Sequence, residues 1–322
     1  RPPPVDLLPP KQGLKLEWVH GYRAQDTRGT LAYSRDGFIV YTAAAMGIVL
    51  KKERESRASQ RFHVDHTDDV ISLSMHPNGN LVATGQVGRL PKMLVWDTRT
   101  MRTVRELGGH SRGISHCAFS HGDGTLLASV GLDANHSLVI HDWRNTRIVG
   151  RSTGDRRKTL CLSFTPDNRG IVIGGVGFAS FIDLSGRNMA VKQAVLEGKA
   201  KMPRHFSCVG WAGRTSVMGT DDGRIFRFDE EKLVRTYDGH EGAVHVMCSV
   251  RSGVASGGRD GIVKIWSTTM ELMHEFDVSK LGSELHPAVR GLDWDDTRNQ
   301  LLIGTAASEI YEISSVSGAD LN

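Results

Sequence analysis

Two groupings in this 322-residue sequence combine residue types that could do chemistry. His63, Asp65, His66, Asp68 and Asp69 form the densest run of potential metal ligands, and His240 with the downstream Asp260 offers the imidazole and carboxylate of an acid–base pair. Neither grouping has the context that such chemistry needs. No HExxH, GxSxG or GxxxxGK[ST] motif occurs, and the glycine-rich stretch from Gly170 to Gly177 lacks the lysine of a phosphate-cradling loop. Cys117, Cys161, Cys208 and Cys248 show neither CxxC spacing nor a clustered histidine. They read as small buried hydrophobes, with no disulfide and no zinc site expected. Asn135-His136-Ser137 fits the glycosylation triplet, but without a secretion signal it reads as a chance match. No catalytic residue, metal or cofactor is expected.

The elements that must position these residues are short strands. Gly239 to Ser267 shows the pattern best. A Gly-His pair is followed by the alternating run Val244, Val246, Cys248, Val250, then the small-residue stretch Val254-Ala255-Ser256, a Gly-Arg-Asp-Gly turn and a strand from Ile262 to Trp266. Alternation with period 2, broken by Gly/Asp turns, predicts antiparallel strands. The unit resembles a WD repeat, the four-stranded blade of a β-propeller, with Trp266-Ser267 in place of the Trp-Asp ending. That resemblance implies that His240, Ser256, Asp260 and Trp266 form a buried hydrogen-bonded tetrad. An unpaired turn amide or imidazole there would cost roughly 1–3 kcal/mol, so a structural role outweighs a catalytic one.

The large residue that closes the first strand of each unit falls at Tyr33, Met75, Phe119, Phe164, Trp211, Val250 and Trp294, in steps of 39 to 47 residues. This is the blade period, and it predicts an all-β, seven-bladed WD-repeat propeller with atypical, degenerate blades. The four cysteines then lie in the first strands of four successive blades. The signature wears unevenly. Gly88-Arg89-Leu90-Pro91 replaces the aspartate turn of the second unit, His141 stands for tryptophan in the third, Phe181-Ile182-Asp183 ends the fourth and Phe228-Asp229 the fifth. The seventh keeps little beyond Trp294-Asp295, so packing rather than the tetrad is expected to hold most blades.

A closer resemblance begins at Leu14-Lys15-Leu16-Glu17-Trp18-Val19-His20-Gly21-Tyr22-Arg23. This run looks like the hydrophobic motif of the echinoderm microtubule-associated protein-like (EML) family, and ordered matches continue through Asp36 to Tyr41, His66 to Leu73, His76-Pro77 and Ala83 to Val87. It implies a proline-rich linker or arm over residues 1–13, a propeller over 14–318 whose first blade (14–62) carries the motif, with six WD-like repeats over 63–318, and a truncated link over 319–322 to a second propeller. A coiled coil that trimerises many members would precede it. It also implies a non-catalytic module that binds tubulin or the microtubule lattice, in the cytoplasm and cytoskeleton or on the axoneme of a cilium or flagellum, alongside other cytoskeletal or axonemal proteins. The cluster from His63 to Asp69 becomes a structural corner on this reading. Trp18 and Tyr22 of the motif are expected to fill the core of the first blade; the alternative is an apolar bridge to the absent half.

The charge pattern is compatible with these partners. A net charge of +4 is far short of a nucleic-acid-binding signature, and no run of about 18 apolar residues suggests a membrane span, so the chain reads as soluble and intracellular, with neither nucleic acid nor membrane as partner. Basic residues gather in expected connections: Lys51, Lys52 and Arg54, with Arg57 and Arg61 nearby; Arg156, Arg157 and Lys158; and Lys199, Lys201 and Arg204. They are either ordinary solvated loops or contacts to the acidic surface of tubulin. One rival function is a substrate receptor of a cullin-RING ubiquitin ligase, because Trp96-Asp97-Thr98-Arg99 fits the WDxR pattern of such receptors. Another is an enzyme in the central channel, but its inner strands read as mostly apolar or small.

Overall fold

The first blade pairs β1 (Leu31–Tyr33), β2 (Ile39–Ala43), β3 (Met46–Lys51) and β4 (Ser59–His63) in that order. A computed structural model describes residues 15–52, 58–186, 188–196, 201–282 and 286–314, and the same meander repeats through it. The second blade holds β5 (Val70–Met75), β6 (Leu81–Gln86), β7 (Met93–Asp97) and β8 (Thr103–Leu107). The third holds β9 (Ile114–Phe119), β10 (Leu126–Gly131), β11 (Leu138–Asp142) and β12 (Arg147–Ser152). In the fourth are β13 (Thr159–Phe164), β14 (Gly170–Gly175), β15 (Phe178–Asp183) and β16 (Ala190–Gln193). The fifth contains β17 (Phe206–Ala212), β18 (Thr215–Thr220), β19 (Arg224–Asp229) and β20 (Lys232–Asp238). The sixth is β21 (Val244–Val250), β22 (Gly253–Gly258), β23 (Ile262–Ser267) and β24 (Leu272–Asp277). The seventh has β25 (Val289–Asp295), β26 (Gln300–Thr305) and β27 (Ile310–Ser314) among the described residues. Each strand expected to begin a unit is the innermost strand of its sheet.

The inner strands pack side by side into a ring, and β1 touches both β5 and β25. The fold is therefore a seven-bladed β-propeller, as the repeat count predicts. At the closure the Tyr33 amide donates to Asp293 Oδ2 at 2.6 Å, Gly29 N donates to the Arg290 carbonyl at 2.9 Å, and the Tyr22 hydroxyl donates to the Thr305 carbonyl at 3.1 Å. Burial falls outward through each blade. Every residue of β14 and β22 is buried, whereas β16 is wholly exposed and β24 mostly so. Second strands sandwiched between neighbouring sheets meet side chains on both faces, which is why GIVIGG and VASGG lack the polar alternation of a half-exposed strand. Their small residues also let the blades approach. A Cβ added at Gly47 in β3 would enter the indole ring of Trp96 in the next blade.

Strand pairing shows one regularity with no counterpart in the sequence reading. In six of the seven inner strands the register slips near the N-terminal end, leaving Ile71, Ser115, Leu160, Ser207, His245 and Arg290 as extra residues at equivalent positions. Each is a β-bulge, which re-aims the side chain it carries.

Residues 1–14, 53–57, 187, 197–200, 283–285 and 315–322 lie outside the described residues. The expected arm over residues 1–13 and link over 319–322, together with Arg54, Arg57 and Lys199, fall within these stretches.

Candidate functional site

The tetrad geometry is present in the sixth blade. His240 Nδ1 lies 3.1 Å from both carboxylate oxygens of Asp260, its Nε2 lies 2.8 Å from Ser256 Oγ, and Trp266 Nε1 donates to the same hydroxyl at 2.9 Å. Asp260 also accepts from the amides of Glu241 and Ile262, at 2.9 and 3.1 Å. The carboxylate thus fastens a turn, and the imidazole has no free nitrogen with which to act on a substrate.

The second blade corrects the expectation that its degenerate turn has lost this network. His66 Nε2 lies 2.7 Å from Thr84 Oγ1, which also receives Trp96 Nε1 at 3.0 Å, and His66 Nδ1 lies 2.8 Å from Gln86 Oε1. Gln86 thus takes the place of the aspartate and continues the chain from Nε2 to Thr67 Oγ1 at 3.0 Å. A reduced version survives in the third blade. There His110 meets Ser129 at 2.8 Å and Ser137 at 3.2 Å, while His141 Nε2 donates to the Gly108 carbonyl at 3.0 Å. Packing carries the remaining blades, with Phe206, Phe226 and Phe228 fully buried together at the fourth–fifth blade boundary.

The cluster from His63 to Asp69 is dispersed into structural contacts. The ring of His63 stacks on Trp96 with centroids 4.7 Å apart, and its Nε2 meets Thr103 Oγ1 at 2.9 Å. Thr103 in turn donates to Asp65 at 2.6 Å, while Asp69 pairs with Arg23 at 2.6 Å. Among the described residues no group of three or more His, Cys, Asp or Glu is disposed to hold a metal. Burial pushes the thiols of Cys117 and Cys208 up to about 12 and raises those of Cys161 and Cys248, so all four stay protonated.

The basic residues divide between two ends of the ring. In an up-and-down blade, the turn between third and fourth strands lies at the opposite end from the link to the next blade. Lys51 and Lys52 therefore sit at one end, where Lys52 pairs with Glu312 at 2.6 Å. Arg156, Arg157 and Lys158 precede β13, and Lys201 and Arg204 precede β17, at the other end. These two segments flank a single turn: Val176 N donates to the Lys158 carbonyl and Gly177 N to the Arg204 carbonyl. Arg157 is committed locally, paired with Asp155 at 2.6 Å and lying over the Phe178 ring at 4.9 Å. Arg156, Lys158, Lys201 and Arg204 are exposed, with no carboxylate in ion-pair range among the described residues.

Other candidates also separate. Tyr22 is buried in the first-blade core and packs edge-on against Tyr41 at 6.4 Å. Trp18 is only half-buried and belongs to no buried apolar cluster, so the core expectation describes Tyr22 alone. Arg99 of the WDxR pattern makes a two-pronged bond to Asp36 of the first blade, with both contacts at 2.9 Å. Its guanidinium ties two blades together, which disfavours the ligase-receptor reading. The inner strands, expected to be mostly apolar or small, carry polar exceptions near their first residues: the bulges add His245 and Arg290, and His116 follows the bulged Ser115.

Comparisons with known proteins agree with this architecture. A family model described as the echinoderm microtubule-associated protein first beta-propeller matches residues 59–313, and a model of the HELP motif matches residues 9–48. Rat echinoderm microtubule-associated protein-like 2 is 30% identical over 322 aligned residues, covering 92% of this chain and 48% of that protein. Mouse echinoderm microtubule-associated protein-like 4 is 28% identical and its human counterpart 27%, each covering 94% of this chain and 33% of the relative. The chain thus spans between a third and a half of the length of these relatives. With residues 59–313 inside the propeller model and the HELP motif immediately before them, the chain belongs to the echinoderm microtubule-associated protein family and corresponds to its first β-propeller.

Proposed function

We propose that this propeller is a non-catalytic microtubule-associated module, and that it contacts tubulin through the end of the ring that carries Arg156, Lys158, Lys201 and Arg204. Family membership supports the first part, since the relatives are named as microtubule-associated proteins. The single observation that carries the second is the pair of basic segments flanking the Val176-Gly177 turn, exposed and without partner carboxylates among the described residues. Unpaired cations on a rigid rim retain their long-range field, which speeds encounter with an acidic surface and makes binding sensitive to salt. The opposite end is less suited, because Lys52 is already neutralised by Glu312.

Co-sedimentation with stabilised microtubules, at low and moderate salt, tests this reading. Reversing charge at Arg156, Lys158 and Arg204 together should weaken pelleting at least tenfold and flatten its salt dependence, whereas Lys51→Glu should leave both unchanged. Undiminished pelleting of the triple variant would remove this surface from the interface. Gel filtration with unpolymerised tubulin then distinguishes capture of the subunit from binding to the lattice.

A further inference from the structure

The mouth of the central channel collects arginine side chains that, among the described residues, are paired with no carboxylate. Arg28, in the segment before β1, reaches across the ring to the carbonyl of Ser207 in the fifth blade, at 3.5 Å from Nη1. Its charge is felt by His116, Cys161, Cys208, His245 and Arg290, which belong to five successive blades. A single guanidinium within range of five blades lies close to the axis. Around it the bulges at Ser207, His245 and Arg290 bring three polar residues from adjacent blades into one arc. Within this hub His116 Nδ1, His245 Nδ1 and Arg290 Nε are buried and make no hydrogen bond among the described residues. His245 as a whole is 6% exposed.

The surrounding charges are mostly of one sign. Arg28, Lys158 and His136 bear on His116, and Arg28 and Arg259 bear on Arg290. On His245 the positive charges of Arg290, Arg28 and Arg259 are opposed by Asp260, whose carboxylate is already engaged by His240 and two backbone amides. Desolvation and this repulsion hold His116 at about 4 and His245 at about 3, so both imidazoles are neutral at pH 7. The amide next to Arg28, that of Gly29, donates to the Arg290 carbonyl, and two like charges on neighbouring segments, one with an unused buried donor, cost free energy unless a negative group joins them.

We propose that this mouth is a binding site for a phosphate-class oxyanion, gripped by Arg28 and Arg290, with His116 and His245 completing its coordination. Guanidinium forks match tetrahedral oxyanions, and the low-dielectric setting strengthens the contact. A bound anion reverses the sign of the field on both imidazoles and raises their proton affinity. Binding is then linked to proton uptake, and affinity increases as pH falls through the neutral range.

Titration calorimetry and thermal unfolding on the full chain, at constant ionic strength in potassium chloride, test the site. Pyrophosphate is the affinity probe, and sulfate, whose charge is constant over the range, serves for the comparison of pH 6 with pH 7.5. One saturable site per chain is expected, with sulfate bound at least threefold more tightly at pH 6. Arg28→Gln and Arg290→Gln should each weaken pyrophosphate at least tenfold, and Arg28→Gln should unfold no earlier than the unaltered chain in chloride, since it relieves repulsion. His245→Gln should reduce the pH effect. A glycerol phosphate arm separates sources: tighter binding of the ester indicates a phosphorylated small molecule, and preference for pyrophosphate a free inorganic ion. Absence of saturable binding, equal binding by both arginine variants, or capture of a glutamate-rich peptide but of no phosphate or sulfate, would overturn the proposal.

Discussion

Acidification is expected to destabilise this propeller through its buried histidines well before its arginine-paired carboxylates titrate. Burial lowers His63, His110 and His116 to about 4 and His245 to about 3, from an ordinary value of 6.5. Between about pH 4 and 6.5 the unfolded chain therefore binds a proton at each of these positions that the native chain refuses. Stability falls as pH is lowered through that window. From pH 7 to pH 5 each imidazole removes about 1.8 kcal/mol, or roughly 7 kcal/mol for the four. Asp293 works the other way. Burial pushes its carboxyl up to about 6 from 3.8, so the native state takes up that proton first and regains about 1.3 kcal/mol over the same interval. The net loss is about 6 kcal/mol, comparable with the whole stability of many domains. Asp36 and Asp26, held low by Arg99 and Arg23, keep their contribution until the pH drops below 3.8.

Urea unfolding followed by tryptophan fluorescence at pH 7, 6 and 5, in chloride buffers free of phosphate and sulfate, measures this directly. The midpoint should fall steeply while the slope with denaturant stays constant. His110→Gln, which can still hydrogen-bond Ser129, should lessen the pH dependence by about 1.4 kcal/mol per unit in the middle of the window. A total loss below about 1 kcal/mol between pH 7 and 5 would refute the claim that these imidazoles are neutral and desolvated in the native state.

Two further outcomes follow from packing and hydrogen bonding. Asp260→Ala strips the acceptor from His240 Nδ1 and from the amides of Glu241 and Ile262, and should cost about 2–4 kcal/mol in denaturant unfolding, whereas a change below 0.5 kcal/mol would mean that water replaces the carboxylate. Gly47→Ala drives a methyl group into Trp96, whose ring is already stacked on His63, and should cost about 1–3 kcal/mol with loss of near-ultraviolet circular dichroism from the indole.

The parts of this molecule that were legible in the sequence are those that each blade needs for itself. A large apolar residue stands at the end of every inner strand or one position before it, so Tyr33, Met75, Phe119, Phe164, Trp211, Val250 and Trp294 count the blades even where Trp-Asp endings have worn away. The Gln86 network leaves no mark in the WD-repeat pattern, which places an aspartate in the turn, whereas the acceptor here stands at the end of β6. The longer amide spans the difference and can donate as well as accept. The channel mouth was illegible for a different reason. Strand alternation assigns side chains to one face of a sheet or the other, and a residue directed at the axis belongs to neither. It reaches the axis through a bulge, which shifts the alternation by one position and leaves no compositional mark. Arg28 and Ser207 are separated by most of the ring in sequence and meet only when β1 closes against β25. The sites that a propeller builds at its axis are thus products of closure, and the residues to examine there are those that interrupt the pairing of the inner strands.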